Sequence, residues 1–147
     1  MRAVVQRVLE ATVEVNQETV GQIGPGLLVY LGVEEGDSND DLIWLAEKIV
    51  KMRIFPDSKE RMQYPVTEVA GGILIVSQFT LYADLKNGAR PNFSGAAKPE
   101  EANAMYEEFI RYISEKNIPV QSGMFGAHMV VTSVNDGPVT IIADSND

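Results

Sequence analysis

Three polar residues stand in a segment whose composition otherwise predicts a buried strand. The stretch Ile73–Leu81 begins with four β-branched or leucine residues, which is typical of a strand that is covered on both faces. Ser77, Gln78 and Thr80 then bring hydroxyl and amide groups into it. A buried polar group without a partner costs roughly 1–3 kcal/mol. Either the strand leaves the core here, and these side chains bond neighbouring backbone, or the strand end forms the floor of a ligand site.

Residues suited to nucleophilic, acid–base or metal chemistry are few. Thr80 could act as a nucleophile, but no nearby base is evident to activate its hydroxyl. His128 is the only histidine, and no serine or threonine partner can be assigned to it by spacing, so an ordinary strand histidine is favoured over a catalytic one. The chain has no cysteine, and its paired carboxylates fall beside turns or on helix faces where solvated charge is usual. We therefore expect no metal and no cofactor.

The segment Asn135–Thr140 joins two predicted strands and contains Asp136-Gly137-Pro138, which is strong turn chemistry. Pro138 opens a strand that would otherwise be central, which indicates an edge or an interface. The residues themselves leave open whether the Gly137-Pro138 bond is cis or trans.

Composition narrows the classes of function. Hydrophobic residues make up 45% and charged residues 22% of the 147 positions, as in a globular domain with its own core. The net charge of −9 argues against indiscriminate nucleic-acid binding, which needs clustered Lys and Arg. No apolar run approaches a membrane span, and the first residues run directly into a strand pattern. We expect a cytoplasmic protein that does not enter membranes.

The apolar periodicity predicts one α/β domain over residues 1–147. Strands are predicted around a hairpin near residues 16–18 and at Leu27–Val33, and helices are predicted after Ser38 and from Pro99. Between them lie a short strand near residues 53–55, a loop at 57–65, the strand Ile73–Leu81 and a long irregular loop at 82–98. Further strands are predicted at 120–122, 127–134 and 139–143. This order predicts a mixed sheet with two amphipathic helices that can cover one face.

Four blocks of sequence together resemble the D-aminoacyl-tRNA deacylase family in order and spacing, from one end of the chain to the other. They are Met1–Val8, Ser77–Leu81, Arg90–Gly95 and Asn135–Thr140. The resemblance implies a metal-independent homodimer with a three-layer α/β/β fold that hydrolyses the ester between a D-amino acid, or misplaced glycine, and the terminal adenosine of tRNA.

The resemblance also implies roles for particular residues. The block Ser77, Gln78, Phe79 and Thr80 lines the catalytic pocket, and Gly137-Pro138 is held cis and projects into the active site of the other subunit. Arg7 and Met129 are expected to bind substrate, although Arg7 has the alternative of bracing Gly137-Pro138 through backbone carbonyls. A rigid backbone wedge would reject every L side chain by collision, whereas small apolar contacts discriminate by only ~1–3 kcal/mol. Glycine, which has no side chain, would escape such a wedge.

Backbone N–H groups around Phe79 and Thr80 are expected to stabilise the oxyanion. The terminal ribose 2′-OH, or a water that it positions, would assist hydrolysis while Thr80 orients the substrate. Three features depart from many family members: Asn92 where serine is frequent, His128 where aspartate is common, and a less basic 82–90 loop. On so acidic a chain we expect weak, salt-dependent contact with the acceptor end of tRNA, made by a few cations: Arg2, Arg7, Lys86, Arg90 and Lys98.

Two other functions stay open at this point. A module that binds an RNA 3′ end or a small metabolite would use the Ser77–Thr80 floor only for recognition. A threonine esterase would cleave small esters that carry no ribose.

Overall fold

The structure is a computed structural model that describes all residues 1–147. Its elements are the strands β1 (Arg2–Val15), β2 (Glu18–Ile23), β3 (Gly26–Gly32), β4 (Phe55–Pro56), β5 (Met62–Tyr64), β6 (Gly72–Ser77), β7 (Val120–Ser122) and β8 (Val130–Asp144), and the helices α1 (Asn39–Lys51) and α2 (Pro99–Ser114). The strands β4 and β5 form a separate small hairpin.

The long strand β1 organises the main sheet. Its first half pairs antiparallel with β3 and its second half with β2, while β8 runs antiparallel along its opposite edge. On the far side of β3, the strands β6 and β7 continue the sheet in parallel. The outer edge of β8 pairs with no strand of this chain.

Two apolar clusters lie on opposite faces of this sheet, because successive residues of a strand point to opposite sides. The larger cluster joins Leu27, Val29, Ile73 and Ile75 to both helices. The smaller one packs alternate residues of β3 and β6 against β2 and the second half of β1. The helices therefore cover one face and strands cover the other, which confirms the predicted α/β class and its α/β/β layering.

Both helices begin where their first residues predict. Ser38 caps α1 in a capping box, and the Asp41 side chain accepts a hydrogen bond from the Ser38 backbone N–H at 2.8 Å. Pro99 occupies the first turn of α2. The buried Tyr106 hydroxyl donates to the carbonyl of Ile75 at 2.9 Å and joins α2 to β6. Burial raises the pKa of that hydroxyl to about 12.

The predicted strand bounds are wrong in four places. The strand β6 ends at Ser77 rather than Leu81, because its parallel partner β3 ends at Gly32 and leaves the next residues without a ladder. The predicted strands 127–134 and 139–143 are one strand, β8, which begins at Val130. The predicted loop 57–65 contains β5, and the short strand near 53–55 is instead Phe55–Pro56.

A four-member polar network ties the two helices together. Glu47 of α1 accepts a hydrogen bond from the Tyr112 hydroxyl of α2 at 2.8 Å and pairs with Lys51 at 2.6 Å and with Lys116. The hydrogen bonds from Lys116, then Lys51 and Tyr112, lower the pKa of Glu47 from 4.5 to about 2.

We expect Glu47→Gln to lower the free energy of unfolding at pH 7 by roughly 1 kcal/mol, because a partly exposed network contributes on that scale. A carboxylate whose pKa is depressed by folding stabilises the protein above its unfolded pKa and ceases to do so as pH falls through its folded pKa. The difference between variant and wild type should thus be complete above pH 4.5 and vanish toward pH 2. Urea titrations across this range measure it. Glu107→Gln, at an exposed carboxylate of α2 that forms no ion pair, is the control.

Candidate active site

A 3-10 turn, Phe79–Tyr82, follows directly on β6 and is called the site turn below. The N–H of Gln78 donates to the carbonyl of Leu31 at 2.8 Å, and the first hydrogen bond of the turn runs from the N–H of Leu81 to the carbonyl of Gln78 at 3.3 Å. The N–H groups of Phe79 and Thr80 precede that bond, and no side chain caps them. Two adjacent backbone donors are therefore free at the end of a buried strand.

The site turn lies close against the end of β3. A Cβ atom built on Gly32 would lie 3.1 Å from the carbonyl oxygen of Gln78 and 3.2 Å from Cβ of Leu81. Glycine at position 32 therefore lets the site turn approach the strand closely enough for the Gln78–Leu31 hydrogen bond to form.

A pocket of about 680 Å³ opens beside the site turn. Its walls are the end of β6, the loop before α2, the start of α2 and the segment that leads into β8. Among the lining residues are Ser77, Gln78, Phe79, Phe93 and the run 125–129. The rings of Phe79 and Phe93 meet edge to face at 5.1 Å. A second depression of the same volume, between α1 and the end of β8, contains none of the predicted site residues.

The predicted catalytic block is brought together, although its members are placed differently. Ser77, Gln78 and Phe79 line the pocket, whereas Thr80 is exposed beside it. The Gln78 side-chain amide donates to the Thr80 hydroxyl oxygen. No carboxylate or imidazole forms a hydrogen bond with Thr80, so the structure provides no general base for a threonine nucleophile.

Met129 lies in the pocket wall, as does the exposed His128. The Met129 sulfur also fills the space over Gly123, where an added Cβ would approach it to 2.6 Å. His128 precedes β8 and is not part of a strand, which corrects the strand predicted there. No group of three or more residues able to ligate a metal occurs in the structure.

Gly137-Pro138 lies at the tip of an irregularity in β8. From Gln6 to Val8 β1 advances two residues, while β8 uses the five steps from Thr140 to Asn135 to stay in register. The four residues of β8 between these two pairs, 136–139, lie opposite the single residue Arg7 and form what is called the bulge below. Both Gly137 and Pro138 are exposed, their peptide bond is cis, and neither lines the pocket of its own chain.

The largely buried Arg7 side chain binds the backbone of the bulge. It is 9% exposed, donates to the carbonyl of Asp136 at 3.1 Å and to the carbonyl of Ile54 at 2.6 Å, and lies 3.4 Å from the Asp136 carboxylate. The N–H of Val139 donates to the Asn135 side-chain oxygen at 2.9 Å, while the Val139 side chain enters the main core. The exposed dipeptide is therefore fixed on both sides. These contacts match the bracing alternative for Arg7, which lies outside the pocket of its own chain.

Several pocket residues could not be recognised in the sequence as parts of a site. Phe125, Ala97 and Ala102 are among them and look like ordinary core residues. Phe93 could have been recognised from the sequence, because it lies within the block Arg90–Gly95 that resembles the family. Lys98, which we expected to contact RNA, lies at this pocket.

Comparison with known proteins identifies the family to which the chain belongs. The model of the D-Tyr-tRNA(Tyr) deacylase family matches residues 4–144, so the chain belongs to that family. A D-aminoacyl-tRNA deacylase from Syntrophobacter fumaroxidans is 52% identical over 145 residues, which cover 99% of this chain and 97% of the relative. One from Thermotoga petrophila is 51% identical over 146 residues, covering 99% and 98%. The resemblance drawn from the four sequence blocks is thereby confirmed.

Solved structures share the fold. A c-Myc DNA unwinding element binding protein superimposes with a TM-score of 0.93 at 37% identity and 98% coverage of both chains. A probable eukaryotic D-amino acid tRNA deacylase superimposes with a TM-score of 0.81 at 20% identity, covering 97% of this chain and 98% of the other. The second likeness concerns the fold alone.

No helix combines the length and the hydropathy needed to cross a membrane.

Proposed function

We propose that the chain hydrolyses the ester bond of D-aminoacyl-tRNA and thereby releases D-amino acids from wrongly charged tRNA. Membership of the deacylase family supports this activity class. The observation that carries the mechanism is the pair of unbonded backbone N–H groups of Phe79 and Thr80 beside the pocket. Such donors stabilise the negative charge that develops on an ester carbonyl oxygen during attack.

Hydrolysis then proceeds without a covalent intermediate on the protein. A water attacks the ester carbonyl carbon, the oxyanion forms against the Phe79 and Thr80 amides, and the bond to the ribose 3′-oxygen breaks. The neighbouring 2′-OH orients the water and assists proton transfer to the departing 3′-oxygen. Thr80, held by the Gln78 amide, orients the substrate.

The chirality of the amino acid is recognised in trans: in a homodimer, one subunit discriminates the substrate that is bound to the other. The bulge is exposed and lies off the pocket of its own chain, so Gly137-Pro138 must reach the pocket of a second subunit to act as a wedge. The unpaired edge of β8, with the exposed apolar side chains of Val130, Val134 and Ile142, offers surface for such a subunit. Misplaced glycine, which has no side chain to collide with the wedge, is a second substrate.

The remaining roles follow from position. Met129 contacts the substrate from the pocket wall, and Arg7 acts on substrate only through the bulge that it braces. Lys86, Arg90 and Lys98 meet the acceptor end of tRNA with strong salt dependence. Residues 1–147 act as a single domain. Because the substrate is charged tRNA, we place the activity in the cytoplasm.

The decisive experiment incubates the protein with D-tyrosyl-tRNA and L-tyrosyl-tRNA and measures the acylated fraction over time. We expect rapid loss of the D ester and persistence of the L ester. Survival of both esters would favour the binding module, and cleavage of small esters that lack ribose at a comparable rate would favour the threonine esterase.

A further inference from the structure

We propose that Arg2 is a positioning residue that fixes the site turn, a role that rests on the proposed function of the Phe79 and Thr80 amides. Arg2 is the first residue of β1, and its Nη1 donates to the carbonyl of Leu81 at 2.9 Å. Leu81 is a member of the site turn, one residue beyond Thr80. This hydrogen bond joins a charged side chain to the backbone that carries the free donors.

The guanidinium is itself held in place. Its Nε donates to Oδ2 of Asp144 at 2.7 Å, at the end of β8, where Asp144 is 5% exposed. Burial alone would raise the pKa of Asp144, but hydrogen bonds from the Asn146 N–H and from Arg2 lower it below its ordinary value. The carboxylate therefore stays charged at neutral pH and fixes the direction in which Arg2 points.

The guanidinium of Arg2 also contacts the site turn at a second residue, Tyr82. The guanidinium carbon lies 4.7 Å from the ring centre of Tyr82, the last residue of the turn. Tyr82 is 8% exposed and its hydroxyl has no hydrogen-bond partner, so the ring is held by its packing and by the Arg2 guanidinium rather than by a hydrogen bond. A cation stacked on a desolvated ring contributes attraction that no other charged group supplies here.

The two ends of the site turn thus have different anchors. The N–H of Gln78 attaches the entrance to β3, and Arg2 attaches the exit through Leu81 and Tyr82. The free N–H groups of Phe79 and Thr80 lie between the anchors, and their directions depend on both. An oxyanion donor displaced by about 1 Å can lose 100-fold in rate. Arg2 therefore acts on catalysis through the backbone and without touching the substrate.

The test compares Arg2→Met with Arg111→Met, which removes an exposed arginine of α2 that pairs with Glu108 and Glu115. We expect Arg2→Met to lower kcat on D-tyrosyl-tRNA about 10- to 100-fold with KM within about threefold of wild type. Arg2→Lys, which keeps the positive charge but lacks the planar fork of donors, should give a kcat between those of Arg2→Met and the wild type. Arg111→Met should leave kcat and KM unchanged.

Two further readouts separate this role from others. Amide hydrogen exchange at Leu81 and Ala83, whose N–H groups bond within the site turn, should quicken at least about 10-fold in Arg2→Met and stay unchanged in Arg111→Met. An Arg2→Met enzyme with raised KM, unchanged kcat and a weaker salt dependence would show that Arg2 binds tRNA phosphate, and would overturn the proposal. So would exchange that does not change.

Failure of the proposed function gives a different pattern. If the wild type cleaves no D-aminoacyl-tRNA, the function fails. The exchange rates then still decide whether Arg2 holds the site turn.

Discussion

Phe79→Pro should lower kcat on D-tyrosyl-tRNA by about 100- to 1000-fold, which is the effect of removing one oxyanion donor. Proline lacks the backbone N–H and is tolerated at the first residue of a helical turn, the position that Phe79 occupies. Gln78, with φ −147° and ψ 82°, is not helical and so does not oppose a following proline. Single-turnover rates with saturating enzyme measure the change, and circular dichroism verifies the fold.

Phe79→Ala is the matched control. It removes the ring, which is 56% exposed and contacts Phe93, but keeps the N–H. We expect a change chiefly in KM. Thr80→Ala should likewise retain most of kcat, because only the backbone N–H of residue 80 donates to the oxyanion. A trapped acyl-Thr80 ester would contradict the backbone mechanism and indicate side-chain catalysis. Equal losses of kcat in Phe79→Pro and Phe79→Ala would do the same.

Pro138→Ala should reduce the preference for D- over L-tyrosyl-tRNA by at least about 100-fold, through a gain of activity on the L substrate. The pyrrolidine ring restricts the backbone at the tip of a bulge that Arg7 and Asn135 hold, so alanine makes the backbone wedge less rigid where an L side chain would lie. The measurement is the ratio of kcat/KM for the two substrates. Pro56→Ala, at an exposed proline of β4, should leave that ratio unchanged.

Mixed dimers tell whether the wedge acts in trans. In a heterodimer of Pro138→Ala with Phe79→Pro, the only intact site turn belongs to the Pro138→Ala subunit, and it receives an unaltered bulge from its partner. Selectivity for the D substrate should therefore return. A mixture as unselective as the Pro138→Ala protein alone would assign the wedge to its own subunit.

Local sequence predicts much of this fold because local chemistry decides where its helices begin. The Ser38–Asp41 capping box and Pro99 mark both helix starts, and the apolar runs mark the central strands. The candidate site could be detected because its residues depart from the local pattern. Polar residues at 77, 78 and 80 contradicted the apolar pattern of their own segment, and such local contradictions concentrate at functional sites.

What escaped prediction depends on distant partners. The end of β6 is set by where β3 ends, at Gly32. The turn chemistry of Asp136-Gly137-Pro138 predicted a break between two strands, yet β1 runs alongside both halves of β8 and keeps them in one strand. The sequence analysis predicts that Arg2 contacts RNA. Nothing near Arg2 in the sequence indicates that its side chain is hydrogen-bonded to Asp144.

The uncovered margin of β8 has a consequence for handling the protein. Its backbone groups and the apolar side chains of Val130, Val134 and Ile142 would face water once the two subunits of the proposed homodimer separate, and such an edge pairs with other strands indiscriminately. On strong dilution we therefore expect this protein to be lost to vessel walls, with activity that concentrating the sample does not restore.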